Sequence, residues 1–472
     1  TCPQSIIDAL PDYTADEIRE AYDELYELKK AGQLFAEDDY IDVSRYIPVG
    51  APVKALCLHV AHDCNLRCKY CFAGTGNFGG QRMLMLPETA IAAMEFVRKA
   101  SGSRRNIEVD FFGGEPLMAF DTVIKTVEYV RAREKEWGKS FRFTITTNGL
   151  ALDDRKIEFI NREMSNVVLS LDGRPEVNDA LRCDIAGNGS YARVMPKLLK
   201  MAGSRGGKDY YVRGTFTRLN LDFAEDVLHL RNLGFKEISV EPVVTTDPAL
   251  DFTEADLPRI YAEYERLAQI MLDRAGSDEA FRFFHFMIDL EQGPCVIKRL
   301  RGCGAGAEYL AVTPDGELYP CHQFVGNSDF KIGSIYEPDK LNQPLREKFA
   351  AQNVYTRDGC RDCFARFYCS GGCSAANFNK NGDIAKPYAL GCDIENQKLH
   401  FMGHYNHLDT INAINTYGSI PAFIEGEGIH SGIIYNCVKH NVPFVLNGSI
   451  RDDGPLPEGY EHTYVGQDTI RS

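Results

Sequence analysis

Cys64-Asn65-Leu66-Arg67-Cys68-Lys69-Tyr70-Cys71-Phe72 is the stretch from which the rest of the chain is read. Its cysteines are spaced Cys-x3-Cys-x2-Cys, after a short apolar run from Ala55 to Val60 and before a glycine-rich segment. Three thiolates hold three irons of a 4Fe–4S cube and leave the fourth iron open to a small chelating ligand. The competing reading is a zinc knuckle or a scatter of buried thiols. Zinc takes four ligands, usually from a Cys-x2-4-Cys pair followed by a second pair.

The chain has 472 residues, enough for roughly two to four domains and a large core. Hydrophobic residues make up 44%, the share of an ordinary globular protein. No apolar run is as long as a membrane span, and the start has no basic–apolar signal segment. These features imply a cytoplasmic protein with no membrane partner. A net charge of −15 argues against broad nucleic-acid binding through the phosphates. Fifteen cysteines without a secretion signal point to metal or catalysis rather than disulfides. Thr1 stands where an initiator methionine would, as in a fragment of a longer chain.

Residues 1–48 read as helices with a short hairpin or wing. Thr14 and Glu17 make a capping-box pattern, Ile18, Ala21, Leu25 and Leu28 mark one helical face, and Gly32 ends it. Leu34, Phe35 and the acidic Glu37-Asp38-Asp39 suggest an edge that leaves the helix, in a unit too small for its own core. Residues 53–290 alternate strands and helices, which predicts an α/β fold with a parallel sheet, open or closed into a barrel. Ile107–Phe112, Phe141–Thr146, Val167–Leu171, Tyr211–Thr217 and Ile238–Glu241 read as buried strands. Pro87 starts one helix, Asp121 and Asp222 cap two others, Gly234 ends the last of these, and 254–290 is helical with one charged face. In such folds chemistry sits at the C-terminal strand ends, and Cys64–Cys71 follow the first strand. From Cys295 the pattern breaks into turns, aromatics and cysteines, a metal-organised region over 291–400. Residues 401–472 change character again.

Phe112-Gly113-Gly114-Glu115-Pro116 ends the second strand. Its glycines let backbone approach a ligand closely, and its carboxylate accepts from an ammonium group. Thr147-Asn148-Gly149 and Ser170-Leu171-Asp172-Gly173 end the next two strands, with small polar groups at the same mouth. Plain turn chemistry explains Thr147 and Asn148 equally well. With Cys-x3-Cys-x2-Cys and the aromatic Tyr70 and Phe72, these segments resemble the radical S-adenosylmethionine (SAM) enzymes. The resemblance implies a partial (β/α)6 barrel, with a 4Fe–4S cluster on Cys64, Cys68 and Cys71. SAM then fills the open iron and is cleaved to a 5′-deoxyadenosyl radical. The implied SAM contacts are Tyr70, Phe72, Gly113, Gly114, Glu115, Asn148, Ser170 and Arg182, the last a surface arginine without the resemblance. His59 and His62 read as core or loop histidines, and Cys57, Cys183 and Cys437 as structural.

Cys303 is followed by twelve residues, Gly316, four residues and Cys321, and then by Cys360-x2-Cys363-x5-Cys369-x3-Cys373 and Cys392. Pro314-Asp315-Gly316 suits a hairpin turn that brings Cys303 and Cys321 together. The pattern resembles the seven-cysteine SPASM extension of peptide- and protein-modifying radical SAM enzymes, which carries two auxiliary 4Fe–4S clusters. By that resemblance Cys360, Cys363, Cys369 and Cys392 hold the outer cluster, and Cys303, Cys321 and Cys373 the inner one. The inner cluster's fourth ligand is either Cys295 or a substrate thiolate at an open iron. A zinc ribbon on Cys360 to Cys373 is the competing reading, although eight cysteines exceed what one zinc needs.

Within this group Ala55–Cys64, Val109–Pro116 and Tyr319–Gly326 resemble maturases of the SCIFF peptide, a short ribosomal peptide with six cysteines. These join a cysteine sulfur to a threonine carbon as a thioether. The resemblance implies three 4Fe–4S clusters, SAM, a cysteine-rich precursor peptide and a one-electron donor such as flavodoxin or ferredoxin. It also makes residues 1–48 the second half of a winged-helix element that binds the precursor's leader by strand addition. Anaerobic sulfatase maturases share the layout but carry an aspartate base directly after the cysteine equivalent to Cys321. Here that residue is His322, which favours the thioether and makes His322 the candidate proton acceptor. The alternatives are formylglycine formation as in sulfatase maturases and a non-catalytic zinc-binding interaction module.

The tail breaks with this family. His430–His440 and Val445–Pro457 look similar to part of the LOR/SDH-type ornithine and arginine enzymes. The implied cysteine ligand list closes at Cys392. Truncation after residue 400 is therefore expected to leave 5′-deoxyadenosine production intact; loss of activity with the iron content unchanged would show that the tail serves the active site.

Overall fold

The apolar segments of the first half become strands, each followed by an amphipathic helix. In the computed structural model, which describes residues 2–11, 13–32, 39–48, 50–287 and 294–399, these strands are β1 (Ala55–His62), β2 (Asn106–Gly113), β3 (Ser140–Thr147), β4 (Asn166–Ser170), β5 (Asp209–Phe216) and β6 (Glu237–Pro242). Each pairs in parallel with the next in chain order. The helices that return the chain are Pro87–Ala100, Phe120–Arg131, Asp154–Glu163, Tyr191–Gly203, Phe223–Asn232 and Leu257–Arg274. This is the expected α/β partial (β/α)6 barrel, with strand limits within two residues of those read from the sequence.

β1 is buried along its whole length. Its second edge pairs in parallel with a further strand, Tyr309–Val312, which pairs back on Glu317–Tyr319 as an antiparallel hairpin. The expected turn around Gly316 joins them. The cysteine-rich region is thus hydrogen-bonded into the same sheet as the barrel. The core beneath mixes aliphatic side chains with aromatics, among them Phe111 stacked on Phe143 at 5.6 Å. Toward β5 and β6, Phe216 stacks on Phe223 at 4.3 Å and Phe223 meets Tyr264 edge-on at 4.8 Å.

Several local readings change. Asp121 lies inside the first turn of Phe120–Arg131, and the N-cap position is Ala119. Asp222 occupies an N-cap position, but its carboxylate takes Arg174 Nη2 at 2.9 Å in place of a helix amide. The helix expected over 254–290 ends at Arg274, and Arg282–Phe283 then pairs with β6. Pro87 does start its helix at the first turn.

The N-terminal helices, Gln4–Ala9 and Ala15–Lys30, belong to a separate compact unit. The capping box is present: Glu17 N donates to Thr14 Oγ1 at 3.3 Å, and Thr14 N donates to Glu17 Oε2 at 2.8 Å. The edge expected at Leu34–Asp38, Cys437 and the tail over 401–472 lie outside the described residues. Among the described residues no helix is long and apolar enough to cross a membrane.

The loop after β4 depends on one buried carboxylate. Asp226 is fully buried and accepts from Arg174 N (3.0 Å), Arg174 Nε (2.9 Å) and Asn220 Nδ2 (3.1 Å). Asp226→Ala strands those donors and is expected to cost about 3 kcal/mol, the low end for a broken buried pair because Arg174 keeps some water contact. A chemical-denaturation midpoint measures it, and an unchanged midpoint would show the loop is held otherwise.

Candidate active site

The cysteine loop leaves the C-terminal end of β1 and is clasped by two neighbours. The first is the end of β2, where glycine is obligatory. A Cβ on Gly113 would lie 2.2 Å from Ala61 O, and one on Gly114 would lie 2.2 Å from Asp63 O. The close approach read from these glycines is real, but the backbone they admit is the cysteine loop itself. The second neighbour is a two-stranded antiparallel ribbon, Leu66–Cys68 against Arg182–Asp184, with Cys68 opposite Arg182.

That ribbon buries Arg182, which is 8% exposed. Its Nε lies 2.9 Å from Asp172 Oδ1, and its guanidinium stands 5.5 Å from the Tyr70 ring centroid. Asp172, fully buried, also accepts from Tyr70 OH (2.7 and 2.9 Å) and from Thr215 N (2.9 Å). It ties the cysteine loop, the segment after β4 and the end of β5 together. Sequence reasoning singled out Ser170 in this segment and passed over Asp172. A carboxylate followed by glycine at a strand end was the available signal. Ser170 itself is half-buried at the end of β4, opposite Arg213.

Glu115 also departs from expectation. It is 1% exposed, and its carboxylate is taken up by the chain's own donors: Leu117 N (3.0 Å), Thr147 Oγ1 (2.7 Å) and Asn148 N (2.8 Å). Burial pushes its pKa up to about 7 against those bonds. It braces the β3 loop instead of standing open to an ammonium group. The Asn148 side chain so positioned donates to Asn65 Oδ1 at 2.8 Å and reaches Cys64 Sγ at 3.6 Å. Phe72 is 47% exposed and stacks near Phe112 at 6.4 Å.

Burial raises most of these thiols, and neighbouring thiols add to the shift. The Cys64 thiol is pushed up to about 12 and the Cys68 thiol to about 11, chiefly by burial, with Cys68 and Cys71 adding to the first and Cys71 to the second. Cys321 is raised by burial, then by Cys373 and Cys303. Cys360, Cys369 and Cys392 each stand near 11: burial leads, Cys369 and Cys363 act on Cys360, Cys392 acts on Cys369, and Cys360 and Cys363 act on Cys392. Cys295 stands exposed at the start of the short helix Val296–Arg299, and the charges that shift Cys321 are those of Cys373 and Cys303. Buried thiols of this kind keep their protons until iron displaces them, which suits a cluster donor set. Among the described residues no three His, Cys, Asp or Glu side chains converge on a point as around one metal ion. A cube presents separate irons, so its thiolates do not converge in that way.

His322, next to Cys321, faces the same mouth from the cysteine-rich side. Its Nδ1 lies 3.1 Å from Tyr309 OH, and its ring is 5.0 Å from Phe112 and 5.5 Å from Phe72. Burial, then the nearby Arg213 charge, bring its pKa down to about 4, so the imidazole is neutral near pH 7. His59 is fully buried, with Nδ1 3.2 Å from His62 Nε2. Its Nε2 is buried without a hydrogen-bond partner, so it is an incompletely satisfied core histidine.

The family model of the radical SAM superfamily matches residues 58–217, and that of the SPASM iron–sulfur cluster-binding domain matches 303–364. The chain carries a radical SAM domain and a SPASM domain. It therefore has the folds that bind SAM and iron–sulfur clusters. The structure of native anSMEcpe with bound AdoMet superposes with a TM-score of 0.61 at 18% identity, over 77% of this chain and 100% of that one. The same protein is also known with AdoMet and the Cp18Cys peptide. The radical SAM cyclopropyl synthase TigE of Paramaledivibacter caminithermalis is 22% identical over 363 residues, 74% of this chain and 73% of the relative. A third match lies at the C-terminus, where residues 382–472 fit the arginine dihydrolase ArgZ-like, C-terminal, Rossmann-fold family. The ornithine cyclodeaminase of Methanococcus maripaludis is 44% identical over 84 residues, and the chain spans only about a fifth of that relative. The match starts ahead of the tail boundary read at 401 and includes Cys392.

Gly114→Ala is expected to displace the Cys64–Cys71 loop. Iron per chain falls while far-ultraviolet circular dichroism keeps its helical signal; unchanged iron would show that the loop absorbs the methyl group.

Proposed function

We propose that this chain is a radical SAM peptide maturase that joins a cysteine sulfur to a carbon of a cysteine-rich ribosomal precursor peptide. The observation that carries the reading is the Cys64–Cys71 loop at the C-terminal end of β1, faced by a neutral His322 from the hairpin that leads to Cys321. The SPASM match and the peptide-bound neighbour support a peptide substrate.

In this reading Cys64, Cys68 and Cys71 hold the SAM cluster. Gly113, Gly114, Asn148, Ser170, Phe72 and the Tyr70–Asp172–Arg182 group line the SAM site, and Glu115 positions Asn148 from beneath. Cys303, Cys321 and Cys373 hold the inner auxiliary cluster, and Cys360, Cys363, Cys369 and Cys392 the outer one. The inner cluster's fourth place is taken by Cys295 or by a substrate thiolate. When bound, these groups supply a carbon radical that takes one hydrogen atom and an acceptor for one further electron. The net change removes two hydrogens: one C–H and one S–H bond break, and one S–C bond forms. The thiol proton needs an acceptor, and His322 is neutral, oriented by Tyr309 and next to Cys321. The aromatic wall of Phe72, Phe112 and Phe78 keeps water from the mouth. Residues 1–48 are assigned to leader recognition, 53–290 to the barrel, 291–400 to the auxiliary clusters and 401–472 to no part of the reaction. A flavodoxin or ferredoxin supplies the priming electron.

Two measurements test this. Replacing Cys64, Cys68 and Cys71 together with alanine is expected to abolish 5′-deoxyadenosine formation while iron and sulfide remain on the C-terminal sets. Mass spectrometry of the modified peptide is expected to show a loss of two hydrogens and one blocked thiol. A two-hydrogen loss with every thiol free would place this chain with carbon–carbon bond formers. Zinc without iron after anaerobic reconstitution would leave only a binding module.

A further inference from the structure

Arg357 is a buried cation with no counter-ion. It is 4% exposed, and no carboxylate pairs with it among the described residues. Its Nη1 donates to Gly371 O and to Gly372 O (2.8 Å), and its Nη2 to Ser374 Oγ (2.7 Å). Three consecutive left-handed residues, Ser370, Gly371 and Gly372 at φ 61°, 78° and 74°, shape the turn whose carbonyls it grips. A Cβ on Gly371 would sit 2.9 Å from Arg357 Cδ, so the turn is moulded onto this side chain. Its Nε is buried and has no partner at all. Cys360 N donates to Arg357 O, and the turn that Arg357 grips joins Cys369 to Cys373, so its charge lies near both cysteine groups.

A buried cation is costly, and arginine does not shed its proton to escape the cost. Arg205, also 4% exposed, meets that cost with backbone carbonyls and Asn161 Oδ1. Arg357 differs in its unpartnered Nε and in the cysteines around it, and thiolate-ligated clusters are negative. Cation charge and hydrogen bonds to sulfur both favour the reduced form of a cluster.

We propose that Arg357 is the positioning residue that sets the redox poise of both auxiliary clusters, raising their potentials so that they accept the electron released as the sulfur–carbon bond closes. Its charge acts on both sets and its free Nε–H is a donor left for a cluster sulfur. The proposal rests on the reading of those seven cysteines as cluster ligands. In the reaction one electron passes from the substrate to an auxiliary cluster, the thiol proton leaves, and no other oxidant enters.

The test is a potentiometric titration of the reconstituted full chain followed by electron paramagnetic resonance. Absence of auxiliary cluster signals in the wild type would defeat the reading of the cysteines before any variant is made. Given those signals, Arg357→Met is expected to move the auxiliary midpoints to more negative potentials by about tenfold in the reduction equilibrium, ~59 mV for one electron. The signal of the Cys64–Cys71 cluster stays where it was. Auxiliary midpoints that stay with the wild type overturn the proposal. If Arg357→Met fails to hold iron, Arg357→Lys decides, because it keeps the charge and loses the planar fork. Midpoints near the wild type support the proposal, and midpoints that fall show that the brace, not the charge, matters.

Discussion

Strand β1 is hydrogen-bonded along both edges, and everything of chemical interest is placed by that fact. One edge carries β2 and through it the rest of the barrel; the other carries Tyr309–Val312 and the hairpin that leads to Cys321. The cysteine loop leaves from the C-terminal end of this same strand. The two halves of the chain are therefore fixed by a peptide ladder, not by side-chain contact across a cleft. Sub-ångström placement of His322 against Phe112 and Phe72 needs that kind of support.

The barrel mouth uses burial to hold charges in definite states. Asp172 and Arg182 form a buried ion pair, and Tyr70 and a backbone amide complete the hydrogen bonds of the carboxylate. Glu115 has three donors from its own chain. His322 is kept neutral and the thiols are kept protonated. A folded apoprotein with these features is electrostatically quiet, and its negative charge develops only as iron displaces the thiol protons. Arg357 stands ready for that charge in the cysteine-rich region.

Much of this was readable in one dimension, because it is local. The strands show as apolar runs, Thr14 and Glu17 show the capping box, and Pro314-Asp315-Gly316 shows the hairpin. Cysteine spacing singles out the loop that leaves β1. What escaped is what distant segments create together. Nothing near Arg182 in sequence buries it; the ribbon with Leu66–Cys68 does. Glu115 looked available to a ligand because its donors, Thr147 and the Asn148 amide, lie on another strand end. Asp172 is a hub only once Tyr70, Arg182 and Thr215 surround it. Asp121 and Asp222 failed as helix caps for the plainer reason that helix ends shift by a residue and that Arg174 offers a stronger partner than an amide.

The double pairing of β1 also has a history within each synthesis of the chain. Ala55 leaves the ribosome about 250 residues before its neighbour Tyr309. At 5–20 residues per second, roughly 13 to 50 seconds pass with the Ala55–Leu58 edge of the central strand unpaired. An open edge of that kind is a template for other strands. Nascent chains crowded on one message would be the first to find it, so the cost of welding both halves into a single sheet falls on translation and its chaperones.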